Sequence, residues 1–337
     1  LKMLADQGRK LQRKVRLIIG TDEENGWRDM PRYLAQEGEP TFGFSPDGAF
    51  PVVNGEKAFQ TVQLRFPSVS EGPYILERFM SGNRANVVPG EAKARINVPQ
   101  GMVIAEDFAN FLNQLPFLEG NVQQAGETVR LTLFGVQAHG AYPADGKNAG
   151  TYLAQFLQQY PFGGDAHAFL NFLGTTVHQD IYAKNLGLAY HDKEMGDLTL
   201  NVGVMRYSHH GQGAILLNFR YPKGVNIQAI VTQVQRHLGD LMADVTVVQA
   251  GMPPHLVAAD DELVKTLSDV YAEQTGQYLP PRTSNGGSYA RLLKRGVAFG
   301  GQFPDVKVTS HQANEFTPVA NLTRAMAIFA ESIWRLC

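Results

Sequence analysis

The pattern of the chain changes character twice, and those two changes limit how it can fold. From about residue 57 to about residue 253, apolar and polar residues alternate in short runs, as at 61–66, 94–98 and 129–133. That period of two is the mark of antiparallel strands with one covered face. On either side the pattern is that of an α/β layer. Residues 1–5 read as the last turns of an amphipathic helix, and Val15-Arg16-Leu17-Ile18-Ile19-Gly20 as a buried strand. After residue 254 a helix is expected over 261–274, a strand over 296–300 and a final helix over 319–336. Two α/β pieces flanking an antiparallel one are explained by insertion: a discontinuous mixed-sheet α/β domain, 1–56 with 254–337, interrupted by an α+β domain over 57–253. With 337 residues, 44% of them hydrophobic, the chain can fill two cores.

Inside the inserted part a weak repeat is visible. Ala94-Arg95-Ile96-Asn97-Val98-Pro99 leads into a helix over 105–112, and Leu216-Leu217-Asn218-Phe219-Arg220-Tyr221-Pro222 leads likewise into one over 227–238. Each half pairs a strand ending in Pro with an amphipathic helix, as in two similar ferredoxin-like units. A further helix is expected over 148–157.

A net charge of -2, from 30 basic and 32 acidic residues, provides no broad electrostatic footprint for nucleic acid or an anionic membrane, so a small soluble substrate is favoured. The basic cluster at 9–14 reads as the solvated end of a helix. No run of about 18 apolar residues occurs. A single cysteine, Cys337, precludes an internal disulfide framework and a thiolate-rich zinc site, which suits a cytoplasmic protein. Any metal must therefore be held by His, Asp and Glu.

Candidate chemistry starts at Thr21-Asp22-Glu23-Glu24, where two adjacent carboxylates follow the apolar run. Such a pair is held together in a fold only if a cation compensates it or one member stays protonated. Asp47 lies 23 positions beyond Glu24 in a Ser-Pro-Asp-Gly turn, and His311 lies in a polar loop before the last helix. Singly, each is an ordinary turn or surface residue. Together, Glu24, Asp47 and His311 form a hard O,O,N donor set suited to zinc or manganese, which leaves Glu23 to take a proton from a bound water. His139 sits among small residues at a strand end. Arg220 closes an apolar strand, so its guanidinium should reach a partner such as a ligand carboxylate. Gly286-Gly287-Ser288-Tyr289-Ala290-Arg291 offers backbone amides at a helix start as an anion cradle.

Six of these motifs occur together and in order: Gly20-Thr21-Asp22-Glu23-Glu24 with Trp27; Phe44-Ser45-Pro46-Asp47-Gly48; Ala138-His139-Gly140 with Gly146-Lys147-Asn148-Ala149; Asn218-Phe219-Arg220-Tyr221-Pro222; Gly286-Gly287-Ser288-Tyr289-Ala290-Arg291; and His311-Gln312-Ala313-Asn314-Glu315. In this the chain resembles, over its whole length, the co-catalytic zinc peptidases that include aminoacylases, carnosinases and glutamate carboxypeptidases, with the carnosinase-type Xaa-His dipeptidases nearest. The resemblance implies Glu23 as general base, with Glu24, Asp47 and His311 as metal ligands. It implies two zinc ions per site, with manganese or cobalt as alternatives. His139 would stabilise the oxyanion from an inserted lid. Asn86, Arg220, Gly286 and Gly287 would hold the substrate's terminal carboxylate. A monomer acting on short peptides is implied.

One departure stands out. The family's upstream His-x-Asp element and bridging Asp have no counterpart, since no His precedes His139, and an N-terminally incomplete enzyme is expected. A deacylase of N-acyl amino acids would share the same groups. A non-catalytic peptide-binding protein would follow if the upstream ligands were truly absent.

Overall fold

The computed structural model describes residues 1–24, 26–248, 251–307, 309 and 314–337. The chain divides into two compact units, Leu1–Lys57 with Pro254–Cys337, and Ala58–Pro253.

The discontinuous unit is built on a mixed sheet. Gly43–Ser45 runs parallel to Gly296–Ala298, which pairs antiparallel with Val53–Glu56; that strand also takes His255–Leu256 antiparallel and Arg282–Ser284 parallel. Helices Glu262–Thr275 and Val319–Leu336 cover it, as the apolar periodicity of both segments leads one to expect. Asp261 caps the first by accepting the Leu263 amide, and Gly276 ends it in the left-handed region at φ 73°. Phe50, Val52, Leu267, Tyr271, Phe299, Phe303 and Ile328 form the core, with Phe50 and Phe303 centroids 4.6 Å apart.

Two sequence expectations fail in this unit. Residues 15–20 form no strand: Leu17 is 75% and Ile19 80% exposed, and among the described residues no strand pairs with them. An apolar β-branched run favours extended backbone, but burial depends on a neighbouring strand that accepts its ladder. The basic cluster is not a helix end either, because the first helix covers only Lys2–Asp6. Arg9 instead lies over the Trp334 ring at 4.6 Å, and Arg13 donates to the Leu336 carbonyl, so the aliphatic stems pack while the charges stay wet.

The second unit is an eight-stranded, wholly antiparallel sheet in the order Asp244–Val247, Ala58–Ser68, Gly211–Tyr221, Thr199–Ser208, Ile75–Ser81, Glu91–Asn97, Thr128–Phe134, Glu119–Ala125. Helices Ala105–Asn113 and Ile227–Arg236 follow the two strand-Pro segments, and Asn148 caps Ala149–Leu157 by accepting the Gly150 and Thr151 amides. One sheet face carries the large core of Val62, Leu64, Phe79, Ile96, Leu131, Leu217 and Phe219 against Phe156 and Phe169. On the strand between 199 and 208 the register shifts between Val202 and Val204, so a bulge falls at Gly203. Among the described residues no helix is long and apolar enough to cross a membrane.

Candidate active site

In the discontinuous unit the acidic pair sits on a loop tied down by two side chains. Asp29 Oδ2 accepts the amides of Thr21 at 2.6 Å and Asp22 at 3.1 Å, and the Tyr289 hydroxyl donates to the same oxygen at 2.7 Å. That hydroxyl also accepts the Asp22 amide at 3.0 Å. Burial pushes the Asp29 pKa up, but these bonds and one from the Met30 amide outweigh it and hold the carboxyl at about 2. Gly20 is obligatory, since a Cβ there would lie 2.3 Å from the Tyr289 ring. Trp27, in the left-handed region at φ 54°, packs edge-on against Tyr289 and donates its indole N–H to the Glu23 carbonyl. Glu23 is half-buried and Glu24 exposed on this turn.

Behind Tyr289 the chain is fixed by a buried carboxylate. Glu56, 3% exposed, accepts the Ser288 hydroxyl at 2.6 Å and the Ser288 amide at 3.1 Å, with the Arg291 guanidinium 3.7 Å away. Burial raises the Glu56 pKa; the Ser288 bonds and Arg291 oppose the rise, and the Asp47 carboxylate adds to it. The Gly286-Gly287 turn thus enters a single 3-10 turn, Tyr289–Leu292. Two of its amides are already engaged, Gly286 by the Ser284 hydroxyl and Ser288 by Glu56. Gly287 is exposed.

Asp47 is exposed on a bend, and the His311 position lies outside the described residues. Among the described residues no group of three or more His, Cys, Asp or Glu side chains is arranged to hold one ion. Glu24 and Asp47 fit a divalent cation in kind, as exposed hard oxygen donors, and on their own leave a centre open.

In the second unit, three of the singled-out residues are linked through direct neighbours. Arg220, 6% exposed, lies over the Phe59 ring at 4.9 Å and donates from Nε to Asn218 Oδ1 at 3.2 Å. Asn218 stands opposite Asn201 across the strand pair. Asn201 Nδ2 donates to the carbonyls of Ala85 at 2.8 Å and Val87 at 3.0 Å, which flank the exposed Asn86. The Asn86 carbonyl accepts the Gly140 amide at 2.7 Å, and His139 pairs with Val87. His139 is exposed, and its Nδ1 accepts the Ala141 amide at 3.2 Å, which places the proton of the neutral ring on Nε2.

Sequence reasoning passed over Asp29, Glu56 and Asn201. The signal for Asn201 was present: a polar residue in the otherwise apolar strand Leu200-Asn201-Val202, mirrored by Asn218 in its partner.

The descriptive model of "Peptidase family M20/M25/M40" matches residues 1–335. A Beta-Ala-Xaa dipeptidase of Lactobacillus delbrueckii subsp. lactis is 36% identical over 335 residues, 99% of this chain and 71% of that protein. A putative dipeptidase of Staphylococcus aureus (strain USA300) is 35% identical over 342 residues, 100% of this chain and 72% of its own length. Among solved structures, human carnosine dipeptidase 1 aligns at 13% identity with a TM-score of 0.44, over 93% of this chain and 64% of its own. The aminoacylhistidine dipeptidase of Vibrio alginolyticus aligns at 13% identity and TM-score 0.39, over 87% of this chain and 63% of that one. The chain therefore spans less than two thirds of these two structures. The match from end to end and the shared third of residues decide the matter: the chain belongs to peptidase family M20/M25/M40.

Proposed function

We propose that this protein hydrolyses dipeptides, of the carnosinase-type Xaa-His kind, in a metal-dependent reaction. The observation that carries the reading is the 36% identity, over 99% of this chain, to a protein named Beta-Ala-Xaa dipeptidase. Glu24, Asp47 and His311 would hold the cation, zinc or a substitute such as manganese, which when bound supplies Lewis acidity and a water of lowered pKa. Glu23 accepts the proton of the attacking water, on a loop whose backbone Asp29 and Tyr289 hold still. His139 donates from Nε2 to the developing oxyanion, a role its Nδ1 contact with the Ala141 amide supports. Arg220 and Asn86 pair with the terminal carboxylate and so select short substrates. A cytoplasmic monomer with a short peptide as its only partner completes the reading.

The test compares turnover of β-alanyl-histidine, alanyl-histidine and an N-acetylated amino acid by the full-length protein supplied with zinc or manganese. Cleavage of the two dipeptides well above the acylated compound is expected. Preference for the acylated compound would make it a deacylase, and no turnover of any would leave the peptide-binding reading.

A further inference from the structure

We infer that Asn201 is a positioning residue for substrate recognition, setting the loop that presents Asn86 and, through it, the segment that carries His139; this rests on the dipeptidase reading of those two residues. Asn201 is 2% exposed, and both its amide hydrogens go to main-chain carbonyls, those of Ala85 and Val87 on either side of Asn86. A carboxamide is costly to bury unless its bonds are made. Leucine would fill nearly the same space but leave both carbonyls unmatched, so the loop path is what the amide determines. The approach is close on every side. A Cβ on Gly203, at the strand bulge, would lie 2.3 Å from the Ala85 oxygen, and one on Gly82 would lie 2.0 Å from the Gly203 oxygen. A Cβ on Gly140 would meet the Asn86 carbonyl carbon at 2.7 Å and Asn201 Nδ2 at 3.0 Å. Gly140 donates to the Asn86 carbonyl, so displacement of Asn86 moves the residue next to His139 as well. Arg206, further along the same strand, holds the entry to the loop by donating to the Ser81 carbonyl at 2.7 Å and to Gly82. One strand thus fixes the loop at both ends, with Asn201 at the end that carries the functional groups.

The test is a double-mutant cycle in the full-length protein, Asn201→Ala and Asn86→Ala singly and together, read as kcat and KM on a dipeptide, with amide exchange of Gly140 measured in parallel. Losing two such bonds should lower kcat/KM by roughly tenfold in the Asn86 background, and by a clearly smaller factor once Asn86 is already alanine, because the main-chain carbonyl at 86 that holds Gly140 survives that change. Gly140 exchange should speed up while that of Ile215 and Leu217 is unchanged. Where the alanine variant folds poorly, Asn201→Leu, which keeps the volume and removes the donors, is read in its place. Equal losses in both backgrounds, or unaltered Gly140 exchange, would overturn the assignment. Absence of wild-type dipeptide turnover would count against the dipeptidase reading instead, and the exchange measurement would still decide whether Asn201 holds the loop.

Discussion

Tyr289 and Asp29, 260 residues apart in sequence, share a 2.7 Å hydrogen bond that closes the loop bearing Glu23 and Glu24. The same Asp29 oxygen accepts the Thr21 and Asp22 amides, so one carboxylate organises the backbone of the whole acidic turn. Tyr289→Phe removes the bond to Asp29 and the acceptor of the Asp22 amide, and leaves the ring that Gly20 and Trp27 pack against. Turnover is expected to fall by about tenfold with fold and metal content kept. Steady-state kinetics beside metal analysis of the variant checks this.

The acid limb of stability carries the mark of Asp29. Its pKa is held at about 2, below the ordinary 3.8, so the stability it contributes is present above about pH 3.8 and is lost as pH falls towards 2. Asn cannot titrate, so Asp29→Asn should be less stable at pH 6 and flatter between pH 4 and 2. Both tryptophans, Trp27 and Trp334, lie in the discontinuous unit, and their fluorescence during urea unfolding reports that unit selectively.

Glu56 and Arg291 form a buried pair at 3.7 Å, the first 3% and the second 1% exposed at the side chain. Glu56→Gln keeps an acceptor for Ser288 but leaves the guanidinium without its counter-charge. A cost of about 3–5 kcal/mol is expected. The same tryptophan-monitored urea midpoint measures it, and a change below about 1 kcal/mol would mean that Arg291 is compensated elsewhere.

His178 makes the second unit acid-sensitive. It packs edge-on against Tyr152 with its Nδ1 3.1 Å from the Thr151 hydroxyl, and burial lowers its pKa from 6.5 to about 4. The neutral form is the one the fold accepts, so its contribution is complete above about pH 6.5 and is lost as pH falls towards 4. His178→Gln should reduce the difference in melting temperature between pH 7 and pH 5, followed by tyrosine near-ultraviolet circular dichroism.

Much of this fold was legible in the sequence, for physical reasons that also explain what was not. The helices at Ala149–Leu157 and Val319–Leu336 and the strands around 61–66, 94–98 and 129–133 carry their periodicity openly, because one face of each is buried. Residues 15–20 carry the same apolar signature without the burial, since composition alone says nothing of which strand will pair with them. At the candidate site, the chain order of the motifs singled out Glu23, Asp47, His139 and Arg220. Glu56 and Asn201 act by bonding to backbone atoms far away in sequence, and Asp29 by joining the amides of Thr21 and Asp22 to the distant Tyr289 hydroxyl; such bonds leave no local pattern. The turn at Gly286-Gly287 read as open amides, whereas two of its donors already serve Ser284 and Glu56.

His139→Ala should lower turnover by roughly a hundred- to a thousand-fold with bound metal unchanged, the usual cost of losing an oxyanion donor. Inductively coupled plasma analysis of the dialysed variant, run beside the kinetics, separates loss of chemistry from loss of metal. Glu24→Ala should do the opposite and reduce bound metal.

The central claim is that Glu23 takes the proton of the attacking water in a dipeptide hydrolysis. Its most direct test is alanyl-histidine turnover by the full-length protein and its Glu23→Gln variant at matched metal content. The account predicts cleavage by the first and at least a thousandfold loss in the second with metal still bound. Comparable turnover by the two would contradict it.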